Sequence, residues 1–291
     1  MNGQVRKIER VIKPIALKEG AGVTVKRTIG SRTLDYLDPF LLFDDFGSED
    51  PAEFRAGFPM HPHRGIETVT YMLAGYMRHG DSLGNAGTIG PGDLQWMTAG
   101  SGILHEEMPL ADRGGLDGFQ LWVNLPARSK MSRPRYQEYR EEQIVQVERN
   151  GARIRIIVGQ VGEARGPVSE IAIAPTYLDI SVPAGGSFGH AVEPGHTVFA
   201  YVFEGQGTFG PRENGGPAVA SRALVVFGDG ERVEARAGDG PLRFLLISGK
   251  PLHEPIARYG PFVMNTREEI EQALRDLRAG TFVKVKAGIA S

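Results

Sequence analysis

Residues His63–Gly75 read HRGIETVTYMLAG, and 130 positions later Glu193–Gly205 read EPGHTVFAYVFEG. The shift lays Gly65 on Gly195, Tyr71 on Tyr201 and Gly75 on Gly205. In each copy a run of β-branched and aromatic residues leaves one glycine and ends at another, the pattern of a strand between two turns. The correspondence continues downstream. Asp93–Gly102 ends in a glycine turn as Ala223–Gly230 does, and Gln120–Val123 resembles Arg243–Leu246. Similarity held at one shift marks a duplicated unit.

Outward from the repeat, short apolar segments such as Thr68–Leu73, Arg153–Val158 and Ala223–Phe227 are separated by turns, with 39 glycines and 19 prolines spread among them. Many short strands and frequent turns predict an all-β sandwich or barrel, and the repeat reads as two copies of one β-barrel unit. The segment LPARSKMSRPRYQEYR (Leu125–Arg140) is basic, polar and poor in strand signals, so the expected division is 1–135 and 136–291. One helix is predicted over Thr266–Leu277. Thr266 and Glu269 form a capping box, Ile270, Ala273, Leu274 and Leu277 share a face, and Gly280 supplies a stop.

Composition excludes several classes. Lys+Arg (33) and Asp+Glu (35) nearly cancel, which argues against charge-driven binding to nucleic acid or a membrane surface. The absence of cysteine excludes disulfides, thiol nucleophiles, thiolate zinc sites and cysteine-held iron–sulfur clusters. No apolar run approaches the ~18 residues that span a bilayer, and the first twenty residues carry charges through their apolar stretch. The expected location is the cytoplasm, or the nucleus in a eukaryote.

Chemistry concentrates in the first copy. His61-Pro62-His63 puts two imidazoles on one face of an extended strand, and His105-Glu106-Glu107 does the same for His105 and Glu107. Two neighbouring strands can bring these four groups to one metal ion. Taken alone, the first pair also reads as two surface histidines in a turn. The second pair, set just after the Gly100–Gly102 turn, favours the metal. Glu106 falls on the opposite face by parity. His79, His190, His196 and His253 lack partners in spacing and read as non-ligands. Gly205–Gly210 fits a dinucleotide-binding glycine pattern but precedes PRENGG, where a helix N-terminus is required.

FPMHPHRGIETVTYMLAG (Phe58–Gly75), PGDLQWMTAGSGILHEEMP (Pro91–Pro109) and GFQLWVNLP (Gly118–Pro126) together resemble the pirin family of the cupin superfamily. DPFLLFDDF (Asp38–Phe46) and GPFVMNTREEIEQA (Gly260–Ala273) fit the same family. The resemblance implies a bicupin: two cupin barrels, one metal in the N-terminal barrel and none in the C-terminal one. The second copy agrees, with Ala191, Glu193, Val233 and Ala235 standing where the first has His61, His63, His105 and Glu107.

The general cupin pattern would make Glu67 a ligand, and Glu67 shares the parity of His61 and His63. The pirin pattern takes Glu107 instead. The expected ligands are therefore His61, His63, His105 and Glu107, with Glu67 in support. Their N/O donor set admits Fe, Mn, Co, Ni, Cu or Zn, and the resemblance favours iron. It further implies O2 and an aromatic substrate, a flavonol such as quercetin, with Glu107 as base. The alternative is a metal-dependent regulator acting on a protein partner. Phe43 and Trp96 are expected to line the substrate pocket, and Arg64 either to orient a substrate or to tether a loop.

Overall fold

The computed structural model describes residues 3–173, 175–211 and 216–285. They form mostly antiparallel strands, with one α-helix, in two compact units. The contacts do not draw the contiguous division at 135/136. One unit comprises Ile15–Glu141 with Leu252–Ser291, and the other Met1–Pro14 with Glu142–Pro251. The reason is strand pairing at a distance. Ile8–Ile12 joins the second unit's nine-stranded sheet beside Ala223–Phe227, and the helix packs against the Ala257–Tyr259 and Phe262–Met264 hairpin of the first. Among the described residues no helix is long and apolar enough to cross a membrane.

The first unit holds a seven-stranded and a four-stranded sheet. Along the larger, the central order is Leu94–Thr98, Ile66–Ala74, Asp117–Asn124, Phe40–Asp45; the smaller runs Phe58–His63, Ile103–Pro109, Met77–Asp81, Ala86–Ile89. Alternation is clearest in Ile103–Pro109, where Ile103, His105, Glu107 and Pro109 are buried and the residues between them are partly exposed. Gly75 and Gly205, matched in the repeat, both have positive φ. A Cβ there would collide with the carbonyls of Gly115 and Pro241, so only glycine fits.

The chain passes from the smaller sheet to the larger across Arg64 and Gly65. Gly65 has φ +81°, and a Cβ on it would run into the Val263 carbonyl. Arg64 is 1% exposed. Its Nε donates to Ser101 O at 2.8 Å, Nη1 to Asp276 Oδ2 at 2.8 Å and Nη2 to Phe282 O at 3.1 Å, with Cζ 4.4 Å over the Phe282 ring. Lys130, also buried, donates to the Gly65 and Val263 carbonyls and to Asn124 Oδ1. Burial lowers the Lys130 pKa to about 8.

The helix runs Arg267–Arg278, and the Thr266–Glu269 capping box forms as expected. Its buried positions are Ile270, Ala273 and Asp276, while Leu277 is 36% exposed. The helix is turned so that Asp276 meets Arg64. Burial opposes the Asp276 charge, but hydrogen bonds from Lys284, Arg64 and Gln272 outweigh it and hold the pKa at about 2.

Register separates the two faces of the larger sheet, because directly paired residues share a face. Val69 pairs with Trp96 and Leu121, Leu121 with Phe43, and Glu67 with Thr98 and Val123. Thr68, Thr70, Gln120, Trp122 and Leu42 form the other face, which looks onto the smaller sheet. Glu67 is 2% exposed; burial raises its pKa to about 7, against the Thr98 hydroxyl (2.7 Å), the Trp96 indole and the Arg135 charge.

Two outcomes follow. Arg64→Ala should lower unfolding stability in denaturant by about 3–5 kcal/mol, since it removes a buried guanidinium with its ion pair and two carbonyl hydrogen bonds and leaves Lys284 as the remaining cation at Asp276. Arg78→Ala, whose partner Glu106 is 3.8 Å away on the surface, should stay within about 0.5 kcal/mol. A carboxyl whose folded pKa is raised costs stability as pH climbs from its unfolded value, 4.5, to its folded one. Glu67→Gln should therefore gain on the wild type between pH 4.5 and 7, by up to about 3 kcal/mol, in melts at matched pH.

Candidate metal centre

His61 and His105 are direct partners across the Phe58–His63 and Ile103–Pro109 strands, and His63 pairs with Ile103. Alternation then turns all three imidazoles to the inner face. Their ring centroids are 4.9 Å (His61–His63), 4.4 Å (His61–His105) and 5.0 Å (His63–His105) apart. One nitrogen of each lies within 4.8 Å of the others, the one such group of His, Asp or Glu among the described residues.

The donor set was tested on its nitrogens. His61 Nδ1 donates to Pro59 O at 2.9 Å, which leaves its Nε2 as a lone pair, 3.1 Å from His63 Nε2. Two ligands at about 2.1 Å from one ion, at right angles, are separated by about 3 Å. Both His105 nitrogens and His63 Nδ1 are buried without a hydrogen-bond partner, a cost that a metal bond would offset. Burial, then the nearby imidazoles, hold the His63 and His105 pKa values well below the ordinary range, so both are neutral at pH 7 and could serve as ligands. The residues fit a divalent ion.

Glu107 comes to the same cavity but stands outside the three-imidazole group. The register slips between His105 and Glu107, so that Glu107 faces Phe58 on one side and His79 on the other. Its Oε1 accepts the Thr70 hydroxyl at 2.8 Å. Burial raises its pKa, against the His61 charge, the Thr70 hydrogen bond and His79. Glu106 points outward toward Arg78.

Four expected residues are placed elsewhere. Glu67 lies on the far face of the larger sheet because the alternation that starts at His61 does not survive the Arg64–Gly65 turn. Phe43 and Trp96 share that face; Phe43 stacks on Phe119 at 5.7 Å. Neither lines the cavity beside the imidazoles. Arg64 is the tether described above and reaches no substrate space.

His79 is not in the metal group, yet it is not a loop residue. It is buried on the Met77–Asp81 strand, with Nδ1 2.8 Å from the Tyr136 hydroxyl and Nε2 2.7 Å from Glu138 Oε2. Its even spacing from Met77 and Asp81 was the available signal. His190 lies on the Ser187–Ala191 strand opposite Val233, and burial pushes its pKa to about 4. Around it the second barrel is filled by Phe188, Val233 and Ala235.

The cavity in front of the imidazoles measures about 490 Å³, the size of a small-molecule site. Leu42, Phe46, Phe58, Met77 and Trp122 make it apolar, and Gln120 adds an amide. Trp122 stands edge-on to His63 at 5.0 Å. Its place in GFQLWVNLP gave no hint that it, and not Trp96, walls the site.

Comparison with known proteins agrees with this architecture. The Pirin family pattern matches residues 22–123, and that of the Pirin C-terminal cupin domain matches 177–283. A Pseudomonas aeruginosa protein, named provisionally as a quercetin 2,3-dioxygenase, is 46% identical over 268 residues (90% of this chain, 93% of that protein). Human pirin is 43% identical over 281 residues, 95% of this chain and 93% of its own. The crystal structure of a quercetin 2,3-dioxygenase from Acinetobacter baumannii superposes with a TM-score of 0.85 at 34% identity, covering 96% of this chain and 98% of that one. With both cupin barrels matched in order, the chain belongs to the pirin family.

Proposed function

We propose that the protein is a metal-dependent dioxygenase that opens the central ring of flavonols such as quercetin with O2 and releases carbon monoxide. The observation that carries this reading is the cluster of three imidazoles at an apolar cavity of ligand size. The name of the Acinetobacter structure, a quercetin 2,3-dioxygenase, supports the substrate. His61, His63 and His105 would hold the ion, with Glu107 as fourth ligand. The resemblance favours iron among the divalent first-row metals. When bound, the ion supplies Lewis acidity toward the 3-hydroxyl oxygen and an open position for O2.

The protein's own groups supply the rest. Trp122, Phe58 and Leu42 take the flat rings and exclude water. Glu107, raised in basicity by burial, accepts the 3-hydroxyl proton. The Thr70 hydroxyl holds that carboxylate in place through Oε1 and leaves Oε2 for the exchange.

Anaerobic metal reconstitution followed by O2 uptake with quercetin tests the reading. Flavonol absorbance should fall with one CO formed per O2 consumed. A fully loaded protein that takes up no O2 with quercetin overturns it. Metal analysis should give one equivalent per chain, lost in His63→Ala. Glu107→Gln should weaken metal retention by at least ~10–100-fold and nearly abolish cleavage. Glu67→Gln and Glu106→Gln should keep both metal and turnover, in a side-by-side assay of the three variants.

A further inference from the structure

Two arginines line the cavity, and their charges are spent differently. Arg27 makes a bidentate pair with Asp44 at 2.8 and 2.7 Å and a second contact with Glu19 Oε1 at 2.7 Å. Its cation is fully answered. Arg258, on the Ala257–Tyr259 strand, has no ion pair among the described residues. Its hydrogen bonds go to two backbone carbonyls, Leu41 O at 3.4 Å and Gly260 O at 3.5 Å, both at the long limit. Its guanidinium carbon lies 5.3 Å over the Trp122 ring, and the side chain is solvent-accessible at the cavity edge. Burial, then the Arg27 charge, lower its pKa, against longer-range attraction from Asp35, Glu19 and Asp44.

The placement has a direction. Trp122 touches His63 edge-on at 5.0 Å and carries Arg258 at 5.3 Å, so one indole separates the imidazole cluster from the guanidinium. A flat molecule lying along that indole, with one oxygen at the imidazoles, brings its far end to Arg258. A guanidinium is a planar donor fork matched to a carboxylate or an ionised phenol. The other walls offer the far end apolar surface, the Gln120 amide and the Arg27–Asp44–Glu19 cluster, whose charges answer one another.

We infer that Arg258 anchors an anionic oxygen group on the substrate, and that the substrate class is an aromatic acid or ionised phenol whose charge lies on the ring remote from the imidazoles. The inference rests on the cavity being the substrate pocket of the metal centre. It makes Arg258 a specificity-determining residue, and it favours flavonols with an acidic group on the far ring over neutral analogues.

Calorimetric titration of the metal-loaded protein with naphthalene-2-carboxylate and with 2-naphthalenemethanol tests it without turnover. The wild type should bind the carboxylate about 10-fold more tightly than the alcohol. Arg258→Gln should erase most of that difference with alcohol binding unchanged, and Arg258→Lys should keep part of it. Any pull of the ion on the carboxylate is common to all three proteins and cancels in the comparison. An undiminished preference in Arg258→Gln, or a wild type that binds neither probe or both equally, overturns the anchor. The O2-uptake assay with quercetin is independent. If it fails while the preference holds, the dioxygenase reading falls and the anchor stands; the reverse result removes the anchor alone.

Discussion

The turn at Arg64 and Gly65 is the constraint on which the first barrel depends. Within two residues the backbone leaves the strand that carries His61 and His63 and enters the central strand of the other sheet. Only a glycine meets the required φ beside the Val263 carbonyl, and the turn is fixed on one side by the Arg64 guanidinium and on the other by the Lys130 ammonium. Both cations are spent mainly on carbonyl oxygens inside the protein. Fixed hydrogen bonds of this kind set the angle between the sheets, and with it the direction in which two of the three imidazoles point.

That direction sets the electrostatics. Three imidazoles are gathered where water is scarce, and the pKa values of the two buried ones, His63 and His105, fall because a charged ring would be neither solvated nor welcome beside its neighbours. The same burial raises the Glu107 carboxyl. Low dielectric therefore pushes the Glu107 carboxyl and the His63 and His105 imidazoles toward neutrality together.

Much of this was legible in the sequence. Period-two spacing within an unbroken strand placed His61 with His63 and His105 with Glu107, and the repeat disclosed two barrels. The capping box located the helix start because it is a local, three-residue signal. The failures share one cause: they needed information that crosses a strand end. Glu67 was counted on the parity of His63 through a glycine that resets it. Phe43 and Trp96 sit near the informative motifs but on the face set by pairing with Leu121 and Val69. Trp122 and Arg258 meet from segments far apart in the chain, and no spacing rule reports a cavity wall built that way.

The exchange of terminal segments between the two units bears on how the protein is made. Ribosomal synthesis delivers most of the first barrel's strands early, yet the Asp276 that answers Arg64, the Val263 that Lys130 holds, and Arg258 all follow only after Glu142–Pro251 has emerged. The first unit is therefore complete only after most of the second has been translated. Until translation passes the helix, Arg64 lacks the Asp276 carboxylate and the cavity wall lacks Arg258.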